Sequence, residues 1–182
     1  FHEIGKIAGK SQYTASGDLE HFTPANFIVG RGTINEKNIV IGGDDFTVRG
    51  GAADASIREK QIMAEQMANE LQIPLIRLIE GTGGGGSVKS IDTESRTYIP
   101  ANPGWEWVVD NLSKIPVIAL GLGPVAGLGA ARLVTSHFSI MVKNISQLFV
   151  AGPPVVKRLG QDLTKEELGG SEIHSKNGAV DI

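Results

Sequence analysis

Between Pro116 and Leu133, glycine stands at 121, 123, 127 and 129, after the apolar run Val117-Ile118-Ala119-Leu120 and ahead of an Ala-rich segment. The run reads as a buried strand and the Ala-rich segment as a helix, so the glycines occupy the bend between them. Backbone N–H groups can approach a ligand there without interference from Cβ, and the helix N-terminus adds partial positive charge. Such a bend can hold an anion; it equally permits tight packing of helix on strand. Gly121-Leu-Gly123-Pro-Val-Ala126 also fits the G-x-G-x-x-A form of a dinucleotide fingerprint. The acid that should hold a ribose, about twenty residues on, is missing. The next strand, Phe138 to Val142, ends in Lys143-Asn144, which leaves only a 2′-phosphate form of the cofactor open.

A second glycine run, Gly83 to Gly86, comes after the apolar segment Leu75 to Ile79. It departs from a phosphate loop, because Val88 stands where G-x-x-x-x-G-K-[ST] needs its last glycine before Lys89-Ser90, and the segment Ile91 to Thr97 lacks a helical apolar face. Nucleotide hydrolysis is rejected on that ground. Consecutive glycines are costly in chain entropy, so the run is either a flexible surface loop or a place where a ligand lies on bare backbone, and the second reading is preferred.

No side-chain constellation competes with these turns. Ser87, Ser136 and Ser146 lie outside any G-x-S-x-G elbow, and His2, His21, His137 and His174 are isolated, so they read as surface or satisfied core residues. Asp44-Asp45 has no further acid or histidine at ligand spacing and reads as turn and capping residues, with no metal site expected. What recurs is backbone N–H presentation. That arrangement stabilises a negative oxygen, an enolate or tetrahedral oxyanion, by roughly 3 kcal/mol per donor.

The elements that must position these turns are drawn from the rest of the 182 residues, enough for one core. The net charge of −3 comes without a dense Lys/Arg stripe, which argues against nucleic-acid or membrane-surface partners. There is no cysteine, hence no disulfide or thiolate metal site within these residues, and no apolar run reaches membrane-spanning length. The first residue, Phe1, suggests a chain entered partway.

Phe1 to Glu20 reads as an exposed, extended lead-in, and Asn26 to Ile34 with Asn38 to Ile41 as a hairpin about Asn35-Glu36-Lys37. A helix is expected over about Asp54 to Gln72, with Ser56 and Glu59 as a capping box, Ile57, Ala64, Met67, Ala68 and Leu71 buried, and Arg58, Glu59 and Lys60 solvated. Asn102-Pro103 starts another helix whose buried face is Trp105, Val108, Val109 and Leu112. Gln147 to Val150 reads as a strand, followed by Gly152-Pro-Pro, a short helix through Lys157 and Leu159, and Thr164-Lys-Glu-Glu167 before Gly169-Gly170, with Ser171 to Ile182 as a polar tail that closes nothing. Strand, glycine turn and helix thus recur at Gly50, Gly83 and Gly123. The pattern is α/β, and it places the glycine turns on one edge of a largely parallel sheet.

Four ordered motifs carry a resemblance. Phe46-Thr-Val-Arg-Gly-Gly51, Gly123-Pro-Val-Ala-Gly127, Gln147-Leu-Phe-Val-Ala-Gly-Pro-Pro-Val-Val156 and Glu166-Glu-Leu-Gly-Gly170 followed by His174 match carboxyltransferase subunits of biotin-dependent acyl-CoA carboxylases in order and spacing. The chain resembles the propionyl-CoA and methylcrotonoyl-CoA carboxylase β type. This implies a crotonase-like (ClpP/crotonase) spiral of β-β-α units, with residues 1–182 forming the N-terminal, acyl-CoA-binding half of the domain and the biotin-binding C-terminal half lying outside them.

The resemblance further implies a transferase or ligase component that moves a carboxyl group from carboxybiotin to the α or vinylogous γ carbon of an acyl-CoA through an enolate. Backbone amides of Gly127 and Leu128 would form the oxyanion hole, with Gly129 next in register. Gly50, Gly51 and Ala52 would face the thioester, and Gly83, Gly84, Gly85 and Gly86 the acyl-CoA. Propionyl-type relatives have Ala-Arg-Ile-Gln where this chain has Gly85-Gly-Ser-Val88, which implies an acyl group bulkier than propionyl.

Biotin would ride on a separate carrier, and no metal is implied. The implied partners are acyl-CoA, a biotin carboxylase and a biotin carboxyl carrier subunit, in a homo-hexamer in bacterial cytoplasm or the mitochondrial matrix. An isolated half would be inactive, since each site is shared between protomers. A crotonase-type hydratase or isomerase and a non-catalytic CoA-binding fragment are the alternatives. The first needs an acid shortly after the oxyanion turn, where this chain has Arg132.

Overall fold

In the computed structural model, residues 1–51, 58–81 and 104–182 are described. The hairpin forms as expected from strands β4, Phe27–Ile34, and β5, Lys37–Asp44, in antiparallel register from Phe27↔Asp44 to Ile34↔Lys37. Asn35 and Glu36 both take positive φ, 47° and 66°, the backbone twist that a two-residue hairpin turn requires.

From β5 onward the sheet is parallel. Strand β5 pairs with β6 (Leu75–Gly81), β6 with β7 (Val117–Ala126), and β7 with both β8 (Phe138–Met141) and β9 (Gln147–Phe149). Helices α1 (Arg58–Leu71), α2 (Trp105–Lys114) and α3 (Leu128–Val134) lie between successive parallel strands in the chain. Parallel pairing needs such crossovers, which is why helical periods alternate with apolar runs in the sequence.

One apolar cluster, including Phe27, Val40, Ala64, Ala68, Leu75 and Val117, packs α1 against the sheet; a second, including Ile79, Ala119, Val125, Leu133 and Leu148, does the same for α3. Beyond β9 come α4 (Pro153–Lys157), α5 (Lys165–Gly169) and α6 (Ser171–Asn177). The first turn of α5 is locked by a Thr164/Glu167 capping box.

Several expectations need correction. The lead-in is extended but paired: β1 (His2–Ile4) adds to β4, and β2 (Gly9–Tyr13) with β3 (Leu19–Pro24) makes a separate, largely exposed two-stranded sheet. Lys60 is buried, because its stem packs over Gly5 and its ammonium lies 3.9 Å from Glu3. Leu71 and Val109 are exposed, whereas Asn111 is buried on the inner face of α2. The tail does close part of the fold. Gly178 takes φ 77° and turns the chain back, Val180 enters the second cluster, Met141 donates its N–H to the Ile182 carbonyl (2.7 Å), and Ser139 donates to Asp181. The expected capping Ser56 lies outside the described residues.

Candidate active site

Because β5, β6 and β7 run parallel, their carboxyl ends share one edge of the sheet, where the turn at Gly50 and Gly51 and the bend at Gly127 emerge. Gly121 and Gly123, expected in the bend, lie instead within β7, which runs on to Ala126, and Gly83 lies outside the described residues. Arg49, Gly50 and Gly51 take φ of 54°, 60° and 66°. A Cβ on Gly51 would stand 2.5 Å from the Glu80 carbonyl oxygen, and one on Gly81 would stand 2.5 Å from that of Gly50. The end of β6 therefore lies directly on the turn after β5, an approach that only two bare backbones permit.

Glu80 continues this stitching. Its N–H donates to Asp44 Oδ2 at the end of β5 (3.1 Å), and its carboxylate lies against Gly123 of β7. The ladder has a bulge here: the one residue between Ile79 and Gly81 faces the three between Gly121 and Val125.

Gly127 ends β7 with φ 60° and ψ −125°, a region closed to residues with a Cβ, and α3 starts at the next residue. Its own N–H is taken: it donates to the Phe149 carbonyl of β9 (3.2 Å). Leu128, Gly129 and Ala130 fill the first turn of α3, where helix geometry leaves N–H groups without an intrahelical acceptor. Of the three expected amides, that of Gly127 is therefore engaged by Phe149, while Leu128 and Gly129 stand in the first turn of α3. Of the other expected binding residues, Gly50 and Gly51 sit at this edge, and Ala52 and Gly83, Gly84, Gly85 and Gly86 lie outside the described residues.

Behind the edge lies a buried polar network that no motif announced. Arg77, fully buried at the centre of β6, makes two bonds to Glu65 of α1, Nε to Oε1 at 2.8 Å and Nη2 to Oε2 at 2.9 Å. Its Nη1 donates to the carbonyls of Arg132 and Thr135 in and after α3 (2.9 and 2.6 Å). Asn111 of α2 donates to Glu65, and Asn69 donates to Asn111. Arg132 lies 3.5 Å from Glu65 and 5.7 Å from the Phe27 ring centroid, with its buried Nη1 unpartnered among the described residues. The position shortly after the Gly127 bend is therefore filled by a structural cation. A lone arginine within the apolar run Leu75 to Ile79 was the sequence signal for this network, since a buried guanidinium requires a paired acid.

The two acids of this region titrate in opposite senses. Burial raises Glu65, but Arg77 and Arg132 outweigh it and hold the carboxyl below its usual range. Burial dominates at Asp44 and pushes it up to about 6, against the opposing pull of Arg132 and of the bonds from Glu80 and Gln61. The folded state keeps a proton on Asp44 that the unfolded chain releases near pH 3.8, so its contribution favours folding at low pH and is lost as pH rises through 6. Asp44→Asn retains an acceptor for Glu80. At pH 7 the variant is expected to be more stable than the parent by up to about 3 kcal/mol, with no gain at pH 4. Chemical denaturation at both values checks this, and equal stability at pH 7 refutes it.

The histidines are not assembled into a catalytic group. His137 is satisfied at both nitrogens, by the Val117 N–H and the Leu112 carbonyl, and His174 bonds the Leu148 carbonyl. Asp45 caps its own turn by accepting from Thr47. Among the described residues, no three His, Asp or Glu side chains gather as a metal site would need, and no helix is long and apolar enough to cross a membrane.

Comparisons with known proteins agree with the architecture. Residues 1–182 match the carboxyl transferase domain model. The chain is 30% identical over 174 residues to the mitochondrial propionyl-CoA carboxylase beta chain of Sus scrofa, covering 93% of this chain and 31% of that protein. It is 29% identical over 181 residues to the mitochondrial methylcrotonoyl-CoA carboxylase beta chain of Dictyostelium discoideum, covering 99% and 30%. It spans about a third of the length of these relatives.

The hexameric transcarboxylase 12S structure with hydrolysed methylmalonyl-coenzyme A bound superposes with a TM-score of 0.76 at 29% identity, over 99% of this chain and 35% of that one. The geranyl-CoA carboxylase beta subunit of P. aeruginosa, at 22% identity, TM-score 0.75, and 98% and 31% coverage, shares the fold. The α/β, crotonase-like architecture implied by the sequence motifs is thus the observed one. With the whole chain matched, this protein belongs to the carboxyl transferase domain family.

Proposed function

We propose that this chain is the N-terminal, acyl-CoA-holding half of the carboxyltransferase domain in a biotin-dependent acyl-CoA carboxylase β subunit. Its reaction is transfer of a carboxyl group from carboxybiotin to the α or vinylogous γ carbon of an acyl-CoA. The observation that carries this reading is the Gly127 bend, which aims the first-turn amides of α3 out of the carboxyl edge of the sheet.

Leu128 and Gly129 N–H donate to the thioester oxygen and bind it more tightly as charge develops in the enolate. Gly50 and Gly51, at the turn after β5, are assigned to the thioester; Ala52 and Gly83 to Gly86, assigned to the thioester and the acyl chain by the sequence resemblance, lie outside the described residues. Biotin, borne on a separate carrier, supplies the carboxyl group and the base for the α-proton; its docking surface belongs to the other half of the domain. The bend suits that division of labour, because it offers first-turn backbone amides, and the side chain shortly after it is an arginine paired with Glu65. A biotin carboxylase and a carrier are the partners, within a hexamer of complete subunits in bacterial cytoplasm or the mitochondrial matrix.

The test combines the complete subunit with biotinylated carrier, biotin carboxylase, ATP, labelled bicarbonate and a series of acyl-CoAs from propionyl upward. Label is expected in an acid-stable acyl-CoA product, with acyl groups larger than propionyl preferred. Hydration or isomerisation of enoyl-CoA without carboxylation would overturn the assignment.

A further inference from the structure

His174 lies just beyond the Glu166 to Gly170 motif, and nothing in the reaction above uses it. Its position connects it to the bend through β9. That strand is three residues long and is held on both sides. On one side it pairs with Pro124, Val125 and Ala126 of β7, and the Phe149 carbonyl accepts the Gly127 N–H. On the other, the carbonyl of buried Leu148 accepts from His174 Nε2 at 2.7 Å, and Gln147 bridges Gly170.

So short a strand makes few ladder bonds, and without His174 the Leu148 carbonyl would lose this partner inside the protein. The other ring nitrogen, Nδ1, is buried and has no partner among the described residues. The polar contribution of the imidazole is therefore a single Nε2–H donated to one carbonyl.

We propose that His174 is a positioning residue for the oxyanion bend. By fixing the Leu148 carbonyl it fixes β9, and through Phe149 it sets the orientation of Gly127 and of the Leu128 and Gly129 amides beyond it. The inference rests on the proposed function for its catalytic consequence, but the mechanical linkage stands without it.

Three variants of the complete subunit separate a donor at the Nε2 position from mere occupancy. His174→Gln places an amide N–H near Nε2. His174→Asn keeps a polar group but withdraws the N–H to the Nδ1 level, and His174→Phe keeps the ring and removes the donor. The Asn and Phe variants are expected to lose about 10- to 100-fold in kcat, as small misplacements of catalytic donors do. Their KM for acyl-CoA should stay within about threefold, because ground-state binding is not what is lost. His174→Gln should recover most of kcat.

Hydrogen exchange of the peptide spanning Val125 to Ala131, monitored by mass spectrometry, should accelerate in the Asn and Phe variants and remain at the parent rate in Gln. If the Phe variant fails to fold, the contrast between Gln and Asn carries the test. Equal kcat and equal exchange across Gln, Asn and Phe overturn the proposal. Should the parent subunit show no carboxylation, the function assignment falls, and the exchange data alone decide the role of His174.

Discussion

Gly127→Val in the complete subunit is expected to lower kcat for carboxylation by at least about 10²- to 10³-fold, the cost of losing one oxyanion donor. The reason is conformational. At φ 60° and ψ −125° a β-branched residue is excluded, so the bend must open and carry the Leu128 and Gly129 amides away from a common target. The strain released on opening is of order 1–3 kcal/mol, small enough for the fold to survive. The β7–β9 ladder and the second apolar cluster remain to hold α3. Steady-state kinetics beside a denaturation curve check both halves of the expectation. A variant with kcat within about threefold of the parent would remove the oxyanion site from this bend.

The second large effect is on stability. Glu65→Ala should cost about 3–5 kcal/mol, because it strands the fully buried Arg77 guanidinium beside a second, half-satisfied arginine. Asn111 loses its bond to the Glu65 carboxylate in the same step and keeps the one to the Glu65 backbone carbonyl. Replacing the pair together, Glu65→Leu with Arg77→Met, removes both charges and should recover most of the loss, as apolar replacements of buried ion pairs do. Urea unfolding of the three proteins is the measurement; a loss below about 1 kcal/mol for Glu65→Ala would mean that Arg77 finds another acid. The pH dependence has the sign of a depressed carboxyl: this contribution is present above the ordinary Glu pKa of 4.5 and is lost as pH falls through the lower folded value.

The sequence made the parallel sheet legible because apolar runs, glycine bends and helical periods alternate, and each is a local signal. The Asn35-Glu36 hairpin, the Gly127 bend and the strand at Gln147 all arise from residues within a few positions of each other. What it concealed depends on contacts distant in the chain. Lys60 looked solvated because its burial comes from Gly5 and Glu3. The tail looked open because its partners, Ser139 and Met141, belong to β8. The Gly127 N–H looked free because only Phe149 reveals that it is taken, which is why the oxyanion is proposed to lie on Leu128 and Gly129.

Strand β7 is shared along one side by two partners, β8 on Ile118 to Gly121 and β9 on Pro124 to Ala126, with the Ser146 hydroxyl bonding the Gly121 carbonyl between them. On the ribosome the first partner emerges before the second, so pairing along β7 can begin while the Gly127 bend is still unset. The bend takes shape only after Phe149 has left the exit tunnel. A nascent chain stalled short of that residue would lack the Phe149 bond at Gly127, so completion of the proposed site would come later than the pairing of β4 to β7.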